Sequence, residues 1–80
     1  MNFNEMNSQT KEVLLGLLNE KLNFWKKYNL VVEPKETGIE IRIPETMNGN
    51  VATEVSKICE MFSMSFYVTC EYKAIMIVIY

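Results

Sequence analysis

The sequence predicts an α+β fold, a two-layer sandwich in which the order α-β-β-α-β-β sets a four-stranded antiparallel sheet under two helices on one face. Three observations predict it. The chain has 80 residues, enough for a single small core. A helical apolar period followed by two extended segments occurs twice along it. The halves also superimpose at a constant offset, with Leu30 on Phe66, Val32 on Val68, Ile39 on Ile75, Ile41 on Ile77 and Ile43 on Ile79; one residue further offset places Leu14, Leu18, Leu22 and Trp25 on Val51, Val55, Cys59 and Phe62. A shared physical requirement is enough to produce this pattern, so it is read as structural pseudo-symmetry.

Residues 1–8 are polar and read as a flexible tail, with Phe3 and Met6 able to dock, and residues 9–80 as the single domain. The first helix is expected to start at Ser8 to Thr10, whose hydroxyls suit free backbone N–H groups, and to run to Tyr28. Glu12 near its start and Lys26 and Lys27 near its end suit the helix dipole. Leu14, Leu18, Leu22 and Trp25 form the main stripe, and Val13, Leu17, Phe24 and Tyr28 widen it, so the helix is expected to touch more than one neighbour.

Leu30 to Pro34 and Ile39 to Ile43 read as a hairpin. Ile39, Ile41 and Ile43 alternate with Glu40 and Arg42, the period of a half-buried strand. Pro34 ends the first strand, and Gly38 is expected to supply a positive φ in the turn. Thr46, Asn48 or Asn50 is expected to cap a second helix reaching Ser63, whose stripe is Val51, Val55, Ile58, Cys59 and Phe62. Ser65 to Glu71 alternates as a third strand. Ala74 to Tyr80 is apolar throughout and rich in β-branched residues, which suits a strand inside the sheet and favours the order 1-2-4-3 over 2-1-3-4.

The pairing implied by the repeat divides the strand residues between faces. The helix side takes Leu30, Val32, Ile39, Ile41, Ile43, Phe66, Val68, Cys70, Ile75, Ile77 and Ile79. The open side takes Val31, Glu33, Glu40 and Arg42 from the first hairpin and Tyr67, Thr69, Met76, Val78 and Tyr80 from the second. A charged half therefore adjoins a largely apolar half. A solvated sheet face has no need of Tyr67, Met76, Val78 and Tyr80 together, so Val31, Tyr67, Thr69, Met76, Val78 and Tyr80 are the candidate partner-binding residues.

Composition narrows the chemistry. Net charge is −2, with no His, no Asp and a single Arg. Nucleophilic catalysis at Cys59 or Cys70 lacks a histidine base, and both cysteines are expected to be buried thiols on apolar faces. Metal spacings and phosphate-binding glycine loops are missing from the sequence, so no cofactor is expected. Glu33 and Glu40, expected opposite one another, would need a raised pKa for acid–base work, which an open strand face does not supply. Leu14-Leu15-Gly16-Leu17-Leu18-Asn19-Glu20 resembles the motif of LAGLIDADG homing endonucleases over these seven residues. The resemblance implies metal-dependent DNA cleavage, but Asn19 and Lys21 stand where that family has acidic ligands, so the leucines read as core.

No basic leader or long apolar segment marks the sequence, since its longest apolar run falls far short of the roughly 20 residues of a membrane helix; a cytoplasmic protein without membrane contact is expected. The expected function is a non-catalytic protein–protein interaction module: a homodimeric scaffold, or a small inhibitor of a larger protein of the kind carried by phages and mobile elements. The alternative is single-stranded nucleic acid or a small ligand on the open sheet face, where Tyr67 and Tyr80 would stack. The acidic balance and single Arg make nucleic acid the weaker option.

Overall fold

The computed structural model describes residues 3–44, 49–71 and 74–80. Among these, helices α1 (Ser8–Lys21) and α2 (Gly49–Met61) accompany strands β1 (Val31–Pro34), β2 (Ile39–Pro44), β3 (Phe66–Glu71) and β4 (Ala74–Ile79). All pairings are antiparallel, and the sheet order is β1-β2-β4-β3. Both the α+β architecture and the interior position of the last strand follow the sequence expectation.

Register explains how the core forms. Ile39, Ile41 and Ile43 on β2 face Ile79, Ile77 and Ile75 on β4, which concentrates β-branched side chains at the sheet centre. Leu14, Leu18 and Leu22 come down onto this centre from the first helical segment, and Val51, Val55, Ile58 and Cys59 from α2, in one continuous buried cluster. Both helices therefore lie on the isoleucine face. Glu33 and Glu40, and Val31 and Arg42, pair on the opposite face of the first hairpin.

Phe3 and Met6 dock, as the sequence allowed: both are buried in the main core, with Lys11 Nζ 4.7 Å above the Phe3 ring, so residues 3–6 pack onto the helix side of the sheet. Several other local expectations are corrected. Asn7 caps α1, its Oδ1 accepting from Thr10 N–H at 2.8 Å, one residue ahead of the predicted caps. Glu12 lies beyond the first turn, and Lys21 is the basic residue at the α-helical end. The helix does not continue to Tyr28. After Leu22 the chain tightens into a 3-10 segment, Asn23–Tyr28, in which Trp25 N–H donates to the Leu22 carbonyl. The tighter winding rotates Phe24 and Tyr28 out of the expected stripe, and both are exposed, as is Val13. Lys26 and Lys27 occupy the last turn of this segment instead. Asn29 closes it in the left-handed conformation at φ 70°, which a short amide side chain tolerates.

The motif position that would carry an acidic ligand is used locally. Asn19 Nδ2 donates to the Leu15 carbonyl at 2.9 Å, and its Oδ1 accepts from Lys26 Nζ at 2.6 Å, tying α1 to the 3-10 segment. At the other helix, Ser63 takes φ 54° and Met64 N–H donates to the Cys59 carbonyl at 2.8 Å, a left-handed end that turns the chain into β3. Thr46 and Asn48, two of the three caps expected for α2, lie outside the described residues, and Asn50 falls inside the helix.

Gly38 is needed for a reason different from the one expected. Its φ is not positive. A Cβ there would collide with the Ile79 carbonyl, a backbone atom on β4 that has no freedom to move away. Gly16 is the converse case: a Cβ on this exposed helical glycine meets open space. Gly38→Ala should therefore lower unfolding free energy by about 2 kcal/mol or more, whereas Gly16→Ala should raise it by about 0.5–1 kcal/mol. Urea denaturation of the two variants beside the parent checks both signs.

Candidate interaction site

Strands β3 and β4 present their outer face through alternate residues: Tyr67 and Thr69 on one strand, Met76 and Val78 on the other, with Tyr80 at the end. Tyr67 opposes Val78 and Thr69 opposes Met76. Tyr80 is held opposite Ser65 by a reciprocal pair of backbone hydrogen bonds at 3.1 and 2.9 Å. The rings of Tyr67 and Tyr80 meet diagonally, centroids 5.7 Å apart and planes tilted by 55°, an arrangement within the favourable range for aromatic pairs. They are 51% and 47% exposed, so the pair is an outward surface feature.

Not every expected residue joins this patch. Met76 is only 8% exposed and stands outside the main core cluster, on the same face between Arg42 on β2 and Thr69 on β3. Val31 is exposed on the same face, but it lies on β1, with Arg42 and Met76 between it and Thr69. It is separate from the tyrosines. Phe3 and Met6, the apolar residues of the tail, are committed to the opposite side of the sheet and do not cover the patch.

The charged half has its own local order. Glu33 accepts from Lys35 Nζ at 2.9 Å, and this hydrogen bond and charge, with a smaller effect from Arg42, hold its carboxyl below the usual range. Glu40 is its direct cross-strand neighbour. A lowered pKa keeps Glu33 ionised, the opposite of what a general acid at neutral pH requires.

Two residues assigned to the core are on the surface. Val68 is 52% exposed and Cys70 is exposed, although both point to the helix side of β3. The alternation placed them on the correct face, but β3 is the sheet edge and the buried cluster tapers before reaching it; on that strand only Phe66 packs against the cluster, half-buried. Sequence reasoning also missed a second surface cluster. Phe24 and Tyr28 lie 6.0 Å apart, with Lys27 Nζ 4.2 Å and 5.3 Å from their ring centroids, so the cation already covers the aromatic faces. Its signal is the run of aromatic residues and lysines from Phe24 to Tyr28.

Among the described residues no group of three or more His, Cys, Asp or Glu side chains is placed to hold a metal, and no helix is long and apolar enough to cross a membrane. The chain matches no protein-family model, and comparison with curated proteins and with solved structures likewise finds no match.

The two thiols differ in accessibility and in chemistry. Burial pushes the Cys59 thiol up to about 11, from an ordinary 9.0. Because the folded state favours the neutral thiol, its contribution to stability is intact below pH 9.0 and is lost as pH rises toward 11. Cys70 should react with a disulfide reagent in the native protein at neutral pH, while Cys59 reacts only as the chain unfolds. A thiol titration with and without denaturant distinguishes them. Cys59→Ser should flatten the fall in stability between pH 9.0 and 11 relative to the parent.

Proposed function

We propose that this protein is a non-catalytic protein–protein interaction module that binds through its C-terminal hairpin, either as a homodimeric scaffold or as a small inhibitor of a larger cytoplasmic protein. The observation that carries the reading is the exposed Tyr67–Tyr80 pair, with Val78 directly across from Tyr67, on the same sheet face as a charged first hairpin. Tyrosine supplies large apolar area with a polar tip at low conformational cost, which is why it is enriched where proteins meet. The charged half, with Glu33, Lys35, Glu40 and Arg42, remains solvated and provides the polar rim.

The same tyrosines favour a second reading, in which unpaired bases stack on them. A net charge of −2 and the two carboxylates on that face oppose a polyanion electrostatically. A protein partner fits the surface better.

Replacing both rings, as Tyr67→Ser with Tyr80→Ser, should leave the circular dichroism spectrum intact and abolish association. The measurements are weight-average mass for a homodimer and retention of a purified target for an inhibitor. Unchanged association in the double variant contradicts the reading. Quenching of tyrosine fluorescence by a single-stranded oligonucleotide, reversed by salt, would favour the nucleic-acid alternative.

A further inference from the structure

The two edges of the sheet are chemically unequal. Ser65 and Tyr80 exchange both backbone hydrogen bonds, and the β3–β4 register continues without a bulge to Glu71. In an antiparallel ladder the paired and unpaired positions alternate, so Tyr67, Thr69 and Glu71 direct their backbone groups at β4. Phe66, Val68 and Cys70 direct theirs away, where no described residue pairs with them. At the opposite edge, the alternation points Leu30, Val32 and Pro34 outward. Leu30 N–H already donates to the Trp25 carbonyl at 3.3 Å, and Pro34 has no N–H to offer. Val32 alone retains a donor there. Among the described residues the β1 edge thus offers one outward N–H and the β3 edge three, so β3 is the edge better suited to strand addition.

Open edges are ordinarily guarded by lysine, proline, a bulge or a charge. β3 has no lysine, proline or bulge, its one acidic residue, Glu71, comes last, and it exposes Val68 at its middle. Building on the interaction reading above, we propose that the β3 edge pairs antiparallel with β3 of a second copy about a two-fold axis at Val68, extending the sheet to eight strands.

The occupant is a second copy because the edge is self-complementary. A two-fold axis normal to the sheet keeps each residue on its own face, so a residue must oppose one of the same parity. Centring on Val68 opposes it to the partner's Val68, Phe66 to the partner's Cys70 and Tyr67 to the partner's Thr69. All three outward-facing residues then meet outward-facing residues, closing about six main-chain hydrogen bonds. Charge agrees. Glu71, the one acidic residue of β3, falls opposite the partner's Ser65 at the strand end. The two β2 strands, with Glu40 and Arg42, stand five strand spacings apart, roughly 24 Å, well beyond the Debye length. Two chains of net charge −2 thus meet without a like-charge pair. A contact confined to one six-residue strand edge belongs to the small interfaces, below about 1,200 Å², which makes the dimer weak and concentration-dependent.

Sedimentation velocity on the full chain, from about 10 μM to about 1 mM, tests this. The parent should pass from monomer to dimer. Val68→Lys, which leaves the β4 ladder untouched and puts two ammonium groups at the axis, should weaken the dimer by about tenfold or more. Val68→Pro, which deletes an outward N–H, should do the same. Glu12→Lys, exposed on α1, which packs beside α2 and β1, should change it little. In a mixture of labelled and unlabelled chains, an intermolecular Overhauser effect should join the α-protons of Tyr67 and Thr69. A dimer that Val78→Lys abolishes and both Val68 variants retain overturns edge pairing but preserves the interaction reading through the outer face. A parent that stays monomeric at the highest concentration overturns edge pairing. If the tyrosine double variant then also matches the parent in target binding, the interaction reading falls with it.

Discussion

The pairing of β2 with β4 is the constraint on which the rest of the molecule depends. Three isoleucines on each strand oppose one another at the centre of the sheet, and their common face receives the leucines of α1 and the valines of α2. A strand's side chains alternate with period two, so a slip of one residue would drive Glu40 and Arg42 into the core and expel the isoleucines. Burial on one face therefore fixes register, and register fixes what the other face shows. The tyrosines, Val78 and the Glu33–Glu40 neighbours stand outside because the isoleucines stand inside.

The same pairing places the most apolar strand between two neighbours and leaves β1 and β3 as the edges. Their different treatment links fold to function. β1 is short, ends in proline and has a donor occupied by the preceding turn. β3 offers its backbone groups at regular intervals, and its outward face carries tyrosine. An 80-residue chain with a continuous core has no structural need for exposed apolar area on both faces of one strand. Exposed apolar residues collect at the last hairpin, in Tyr67, Val68 and Tyr80, and along the first helical segment, in Val13, Phe24 and Tyr28.

Much of this was legible in the sequence because alternation is a strong signal. Ile39, Ile41 and Ile43 against Glu40 and Arg42 leave one register that buries the apolar set, and the unbroken apolar run of the last strand marks it as interior. What periodicity lacks is extent. It placed Val68 and Cys70 on the helix side of β3, but how far the core reaches across the sheet is set by helix position, and both residues lie past its margin. It placed Val31 on the tyrosine face, but sharing a face is not adjacency when two strands intervene. The tightening after Leu22 carries no glycine or proline signal, so Phe24 and Tyr28 were assigned to the core. The collision that requires Gly38 involves Ile79, a neighbour only in the folded chain.

Amide hydrogen exchange at two protein concentrations tests most directly whether the C-terminal hairpin ends in an open, self-complementary edge. Phe66, Val68 and Cys70 should exchange fast in dilute solution and become protected on concentration, while Val32 exchanges at one rate throughout and Tyr67 and Thr69 stay protected by β4. Protection at Val68 that does not change with concentration, or that rises equally at Val32, would contradict it.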